Sequence, residues 1–227
     1  MKLTSIAAAA LLAVTSLAQA VTVTQDLGPA TLTYDNGTPF GSLASWSSSS
    51  MGYDFEWTVP NAVGIASVGP LMTATVQLPT FTLTANSGNT LNGVFSGFLG
   101  NLAYTEIGGA TTGILAYADV ALNGGPAMSL SSGVGWTSQN SGPGFNLGYF
   151  SGTASTPNLG NYTSITISNA SIVLSATGGT FSSIQGNSQN KLSFAYEAAP
   201  VPEPESYALM LAGLGALALI VRRRQQR

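Results

Sequence analysis

An all-β fold is predicted for the body of this 227-residue chain, as an antiparallel β-sandwich or jelly roll. Short runs of alternating apolar and hydroxyl side chains predict strands, because successive residues of a strand face opposite sides of a sheet. Clusters of Asn, Gly, Ser and Pro between these runs predict turns. No long stretch of the body has the period of about 3.6 residues that marks an amphipathic helix. Helices are expected only at the ends, as an N-terminal signal-peptide helix and a single C-terminal transmembrane helix.

The predicted strands and turns can be placed on the sequence. Strands are expected at Val21–Thr24, Thr73–Leu78, Thr80–Ala85, Thr163–Ser168 and Lys191–Tyr196. Turns are expected at Asp35–Thr38, Asn86–Asn89, Asn123–Pro126, Ser141–Gly144 and Thr177–Gly179. The serine-rich stretch Ser42–Gly52 is expected to be a loop before a strand over Tyr53–Val59. A β-solenoid is the alternative, but the chain has no repeat of fixed length.

The first 20 residues have the features of a secretory signal peptide. Lys2 gives a positively charged start, an apolar core follows, and Ala18–Ala20 forms the small-x-small pattern of a cleavage site. We expect cleavage between Ala20 and Val21. A first transmembrane helix or a buried helix is the alternative, but the apolar run is short for a span and the cleavage pattern favours a signal peptide.

The C-terminal end contains an uncharged stretch, Tyr207–Val221, followed at once by Arg222, Arg223 and Arg224. A helix over this stretch would be about 22 Å long, shorter than the hydrocarbon core of about 30 Å. The arginines would act as a stop-transfer signal and stay in the cytoplasm. The alternative is an amphipathic helix that packs on the protein itself, but apolar residues on every face argue against it.

These segments divide the chain into four parts. They are a signal peptide (1–20), a β-sandwich domain (21–199), a Pro-rich spacer (200–206) and a transmembrane helix with an Arg-rich tail (207–227). Prolines in the spacer prevent the C-terminal helix from extending toward the body.

The stretch Val201–Arg227 resembles the PEP-CTERM sorting signal of Gram-negative bacteria. It contains the triplet Pro202, Glu203 and Pro204, then the short apolar helix and the arginine cluster. The resemblance implies that an exosortase, a membrane cysteine transpeptidase, recognises the tail and cleaves near the triplet. It also implies transient anchoring in the inner membrane and a link to exopolysaccharide production. The triplet residues would then be substrate residues of another enzyme.

The composition excludes several function classes. Charged residues make up 7% of the chain, against about 25% in ordinary globular proteins. The chain has no His and no Cys, so disulfides, thiolate metal sites and most hydrolase triads are unavailable. Between Val21 and Pro200 there is one basic residue, Lys191, against seven acidic ones, which disfavours nucleic-acid binding. No cofactor, no metal and no catalytic residue is expected.

A candidate ligand site lies in the predicted strand Tyr53–Val59. Asp54 and Glu56 would share one face of this strand at about 6.5–7 Å, which overlaps the range of glycosidase carboxylate pairs. Such a pair could also bind Ca²⁺. The favoured alternative is a half-buried strand whose acids face water. Glu106 and Asp119 lack acidic neighbours and are expected to be surface charges.

Three function hypotheses follow. The first is an exported, non-enzymatic surface or matrix protein that interacts with exopolysaccharide or with copies of itself. The second is a carbohydrate-active or carbohydrate-binding protein that uses Asp54 and Glu56, with Trp46, Trp57 and Trp136 as candidate sugar platforms, although Trp57 is expected inside. The third is ice or surface binding through the threonine rows of Thr73–Val76 and Thr80–Thr84.

Overall fold

A computed structural model of the protein describes residues 21–49, 52–129, 134–187, 189–201 and 204–225. The predicted signal peptide and Ala20 lie outside the described residues. Val21, on the other side of the expected cleavage site, donates a hydrogen bond from its backbone N–H to Asn36 Oδ1 at 3.2 Å.

The described residues form 14 strands and one helix. The strands are β1 (Thr22–Asp26), β2 (Ala30–Asp35), β3 (Ser45–Ser49), β4 (Gly52–Thr58), β5 (Gly64–Gln77), β6 (Phe81–Ala85), β7 (Asn89–Ile107), β8 (Thr111–Leu122), β9 (Met128–Ser129), β10 (Val134–Gln139), β11 (Phe145–Ser155), β12 (Asn161–Tyr162), β13 (Ser164–Gln185) and β14 (Lys191–Pro200). The helix is α1 (Pro204–Gln225). The described strand pairs are antiparallel, so the predicted antiparallel β class is confirmed.

Hydrogen bonding joins the described strands into one curled sheet instead of the two separate sheets of the expected sandwich. The reason lies in β13, which is 22 residues long and changes its neighbours along its length. One edge of β13 pairs with β8 and then with β7, while the other edge pairs with β6 and then with β5. We call β6, β8, β10 and β13 the first wall, and β4, β7, β11 and β14 the second wall.

The core lies between these walls and is rich in aromatic rings. Phe55 and Trp57 of β4 are fully buried, as the alternation of that strand predicts. Phe81 of the first wall contacts Phe55 and Phe194 of the second, at ring-centroid distances of 5.3 and 4.8 Å. Such edge-to-face aromatic pairs add to the hydrophobic stabilisation of the core.

The chain turns a corner between β7 and β8. These two strands follow one another along the same edge of β13, with Ile107 opposite Phe181 and Thr111 opposite Thr177. The register of β13 with β5 shifts at the same level. Shifts of this kind bend a strand and increase its twist, which lets a long strand pass from one wall to the other.

The turn predicted at Thr177–Gly179 is wrong, because these residues lie inside β13. Gly178 and Gly179 have positive φ angles of 75° and 63°, which the sequence pattern suggested, but they form an irregularity within the strand. A Cβ on Gly179 would lie 2.2 Å from the carbonyl oxygen of Ile107. The glycine is therefore required where β13 passes close to the corner.

The loop predicted over Ser42–Gly52 is also wrong in part, since Ser45–Ser49 forms the edge strand β3 on β4. Serine-rich composition suggested a loop because these side chains offer no apolar face. The strand forms because β4 supplies a pairing edge and acidic acceptors for the serine hydroxyls.

The C-terminal helix expected over residues 207–227 is present as α1, which begins at Pro204 and ends at Gln225. Among the described residues, however, no helix is both long and apolar enough to cross a membrane.

Substitution of Gly179 by Ala tests the packing at the corner. We expect Gly179→Ala to lower the free energy of unfolding by about 3 kcal/mol, since it adds a backbone clash to the cost of a positive φ. Gly124→Ala is the matched control, with φ 69° but nothing within 4 Å of the added Cβ, and should cost about 1 kcal/mol. Urea denaturation of both variants measures the difference. Equal losses of unfolding free energy in the two variants would contradict the close approach of Gly179 to the Ile107 carbonyl.

Candidate functional site

Asp54 and Glu56 lie on one face of β4, as predicted, and both are hydrogen-bonded. Ser47 Oγ donates to Asp54 Oδ1 at 2.5 Å, and Ser45 Oγ donates to Glu56 Oε1 at 2.6 Å. Lys191 of β14 forms an ion pair with Glu56, with 2.6 Å between Nζ and Oε1. The two carboxylates therefore belong to a ladder of polar side chains across β3, β4 and β14.

Glu56 is held in its charged form. Partial burial raises the pKa of its carboxyl, but the hydrogen bonds from Lys191 and Ser45 and the charge of Lys191 outweigh burial, so the pKa lies below its usual value. A general acid requires the opposite shift. Within the described ranges, no three Asp, Glu, His or Cys side chains are grouped so that they could hold a metal ion.

Glu106 is fully buried, so the expected surface charge is wrong at this position. Its Oε1 accepts hydrogen bonds from the backbone N–H and the hydroxyl of Thr112, at 2.9 and 2.7 Å. Its Oε2 accepts from Ser138 Oγ at 3.0 Å and from Asn146 Nδ2 at 2.7 Å. These four donors compensate for the loss of water around the carboxylate.

The donors to Glu106 come from both sides of the corner. Glu106 is next to the last residue of β7 and Thr112 is the second residue of β8, so their hydrogen bonds bridge the bend. Ser138 and Asn146 flank the loop between β10 and β11, which follows the same bend. Asn140 in that loop donates to the backbone carbonyls of Glu106 and Gly144, at 3.3 and 2.5 Å. We call Glu106 with Thr112, Ser138 and Asn146 the corner cluster.

A buried polar row extends from the corner cluster across the sheet. Glu106 is opposite Ser182 of β13, and Ser182 is opposite Ser67 of β5. Ser182 is fully buried, and its hydroxyl has no hydrogen-bond partner among the described residues. The row therefore continues the corner cluster from β7 across β13 to β5.

Asp119 lies at the surface of β8, as expected. It accepts hydrogen bonds from Asn169 Nδ2 at 2.7 Å and from Ser129 Oγ at 2.5 Å. These hydrogen bonds hold the pKa of the Asp119 carboxyl below its usual value.

An apolar pocket of about 190 Å³ lies between the two walls. Among the described residues that line it, none is charged. Six of the lining residues are glycines and alanines, which leave space where larger side chains fill the rest of the core: Gly97, Ala116, Ala118, Gly152, Ala154 and Ala170.

The three tryptophans occupy different environments. Trp57 is fully buried, as expected, while Trp46 on β3 is 46% exposed. Trp136 of β10 lines the pocket, and its indole reaches across to Gly152 of the second wall. A Cβ on Gly152 would lie 1.7 Å from Trp136 Cζ2, so the indole occupies the space over this glycine. The structure thus gives no common tryptophan platform for a sugar.

A threonine row crosses the outer face of the first wall and β1–β2. Thr24, Thr33, Thr82 and Thr166 are in register across four neighbouring strands. The hydroxyl oxygens of Thr82 and Thr166 are 2.9 Å apart. Of the predicted rows, the one at Thr80–Thr84 contributes Thr82, whereas Thr73–Val76 lies on β5.

The C-terminal tail leaves the sheet directly after β14. The backbone N–H of Val201 donates to the carbonyl of Gly88 at 2.8 Å, which secures the end of the β domain. Pro202 and Glu203 lie outside the described residues, and Pro204 begins α1.

The arginine cluster lies in the last turns of α1. Arg222 is exposed, while the side chains of Arg223 and Arg224 lie outside the described residues. Apolar side chains earlier in the helix are exposed too, among them Leu209 at 74% and Leu211 at 65%.

Sequence reasoning missed the corner cluster and the pocket. The signal for the cluster was weak: Glu106 stands just before the Gly108–Gly109 pair and six residues before Thr112. The pocket had a clearer signal, since Gly97, Gly152 and Ala154 occupy inward positions of strands that elsewhere carry large apolar residues.

Comparison with known proteins gives one informative match. Residues 200–225 match the family model of the PEP-CTERM protein-sorting motif. A search of curated proteins found no match to the chain. Among solved structures, that of infectious bursal disease virus Gx strain aligns at 14% identity with a TM-score of 0.14, covering 77% of this chain and 51% of that chain. This chain thus spans about half of the viral one, and a likeness at this TM-score supports no argument.

Removal of the Glu106 carboxylate tests the corner cluster. We expect Glu106→Ala to lower the free energy of unfolding by at least about 3 kcal/mol, because buried donors lose their acceptor. Glu106→Gln keeps one acceptor oxygen and should cost less. Asp119→Ala, at a surface carboxylate, is the control and should cost clearly less than Glu106→Ala. If urea denaturation gives similar losses for Glu106→Ala and Asp119→Ala, the cluster does not stabilise the corner.

Proposed function

We propose that the β domain of this chain, which carries a PEP-CTERM protein-sorting motif at residues 200–225, is a non-enzymatic structural or adhesive protein of the cell surface or extracellular matrix. The motif itself implies export, transient membrane anchoring and processing by an exosortase. The proposal adds that processing delivers the β domain to exopolysaccharide or biofilm material outside the cell.

The position of the motif is the observation that supports this proposal most directly. The matched residues begin at the last residue of β14 and include all of α1. Cleavage near Pro202, Glu203 and Pro204 would therefore remove the helix and leave every described strand intact. The working protein would be the acidic, hydroxyl-rich β domain without its arginine tail.

The carboxylates of β4 support this role better than an enzymatic one. Asp54 is exposed and bonded to Ser47, and Glu56 is paired with Lys191. The carbohydrate-active alternative needs a carboxyl group that can donate a proton into a cleft. The apolar pocket, which could act as such a cleft, is lined by neither Asp54 nor Glu56.

The threonine row favours a second candidate function, an ice-binding type of surface. Four threonines in register present methyl and hydroxyl groups at the strand spacing of about 4.8 Å. The hydrogen bond between Thr82 and Thr166 and the twist expected between neighbouring strands, about 20–25°, count against a flat array.

Exosortase dependence is tested in the host. We expect deletion of the exosortase gene to leave the full-length chain in the cell envelope, whereas the parent strain releases a form that lacks α1. Mass spectrometry of the C-terminal peptide measures both. Glu203→Gln in the triplet should also block processing, while Glu197→Gln, an acidic residue of β14 before the matched range, should not. Normal processing without the exosortase would overturn the sorting role.

Matrix association is tested on the processed protein purified from the parent strain. We expect it to co-sediment with the exopolysaccharide of its host, and the Asp54→Asn, Glu56→Gln double variant should bind equally well. The same sample is assayed for thermal hysteresis in ice. If the protein shows thermal hysteresis that Thr33→Lys abolishes, and does not bind the polysaccharide, the ice-binding function replaces the matrix function. Loss of polysaccharide binding in the double variant would instead support the carbohydrate site on β4.

A further inference from the structure

We propose that the apolar pocket between the two walls binds a small uncharged ring compound, a monocyclic aromatic molecule about the size of p-xylene. This goes beyond the proposed surface role and does not depend on the sorting signal. The shape of the pocket, the chemistry of its lining and the placement of Trp136 all favour this class of ligand.

The pocket arises from small residues that face one another across the core. Ala116 of β8 and Ala170 of β13 lie on the first wall, and Gly97 and Ala154 lie opposite each other on the second. Protein cores are normally filled to the density of organic crystals. Four small residues at facing inward positions therefore leave a void that the protein's own side chains do not fill.

Aromatic side chains give the void a defined wall. Trp136 crosses from the first wall to the backbone of Gly152, and Phe194 lies 3.0 Å from the position of a Cβ on Gly97. Any side chain on Gly152 would clash with the Trp136 indole, and a Cβ on Gly97 would be in tight contact with the Phe194 ring. The Trp136 and Phe194 rings are packed against the backbone of the second wall. They give the pocket aromatic surfaces on which a planar ligand can stack.

The lining selects the class of ligand. The described residues around the pocket carry no charge, and its surface is mostly apolar. A charged molecule would lose its hydration there without gaining an ionic partner. An engineered cavity of about 150 Å³ in another protein stays dry and binds benzene. At about 190 Å³ this pocket suits one substituted ring.

The pocket also has a way in. One of its lining residues, Phe98 of β7, is 38% exposed, and Ser155 at the end of β11 is exposed as well. The pocket therefore reaches the protein surface beside the middle of β7 and the end of β11. A ligand could enter there without unfolding of the sheet.

The test is a titration of the ¹⁵N-labelled full chain with p-xylene, followed by NMR at the indole N–H groups. We expect saturable shifts of the Trp136 indole signal, while Trp46 and Trp57, which do not line the pocket, keep their positions. p-Toluate, which replaces one methyl group by a carboxylate, should bind at least tenfold more weakly. An unshifted Trp136 signal at the solubility limit of p-xylene, or equal binding of p-toluate, would overturn the proposal.

Variants that fill the pocket provide the second arm. Ala154→Leu on the second wall and Ala118→Leu on the first should each weaken p-xylene binding at least tenfold. Ala195→Leu, the same change on the exposed face of β14, should leave it unchanged. If one of the two filling variants fails to fold, the other still tests the site. Binding that survives pocket filling in a folded variant would contradict the proposed site.

Discussion

The curled sheet depends on one corner, where β7 passes into β8 and the loop between β10 and β11 follows it. Glu106 sits on the inner side of this bend and accepts four hydrogen bonds from residues on both sides of it. A buried carboxylate without these donors would strongly destabilise the fold, so the cluster and the bend require each other. On β13, Gly179 allows the corner to approach the strand backbone.

The two walls are separate parts of one sheet, and the bend determines how they face each other. Large aromatic residues fill the space near β4 and β6, where Phe55, Phe81 and Phe194 meet. Near β8 and β11 the facing residues are glycines and alanines, and the space remains as a pocket. Trp136 bridges the walls there and forms part of the pocket lining. The pocket is thus a consequence of side-chain size at facing positions.

Delivery and structure are assigned to different parts of the chain. The β domain ends with Val201 bonded to Gly88, and the sorting motif begins at Pro200, the last residue of β14, and continues through α1. Exposed apolar side chains along α1 indicate that they do not supply the core of the sheet. Removal of the tail would therefore leave the packing between the walls unchanged.

The sequence by itself determined several of the strands and the sorting tail. Period-two alternation placed Phe55 and Trp57 in the core, and the tail is a contiguous motif that needs no fold to be read. Both signals are local. Tertiary structure alone decided that Glu106 is buried, that Gly179 lies inside a strand and that Ser45–Ser49 pairs with β4. Each of these outcomes depends on partners that the curled sheet supplies from other strands, and a local pattern does not specify those partners.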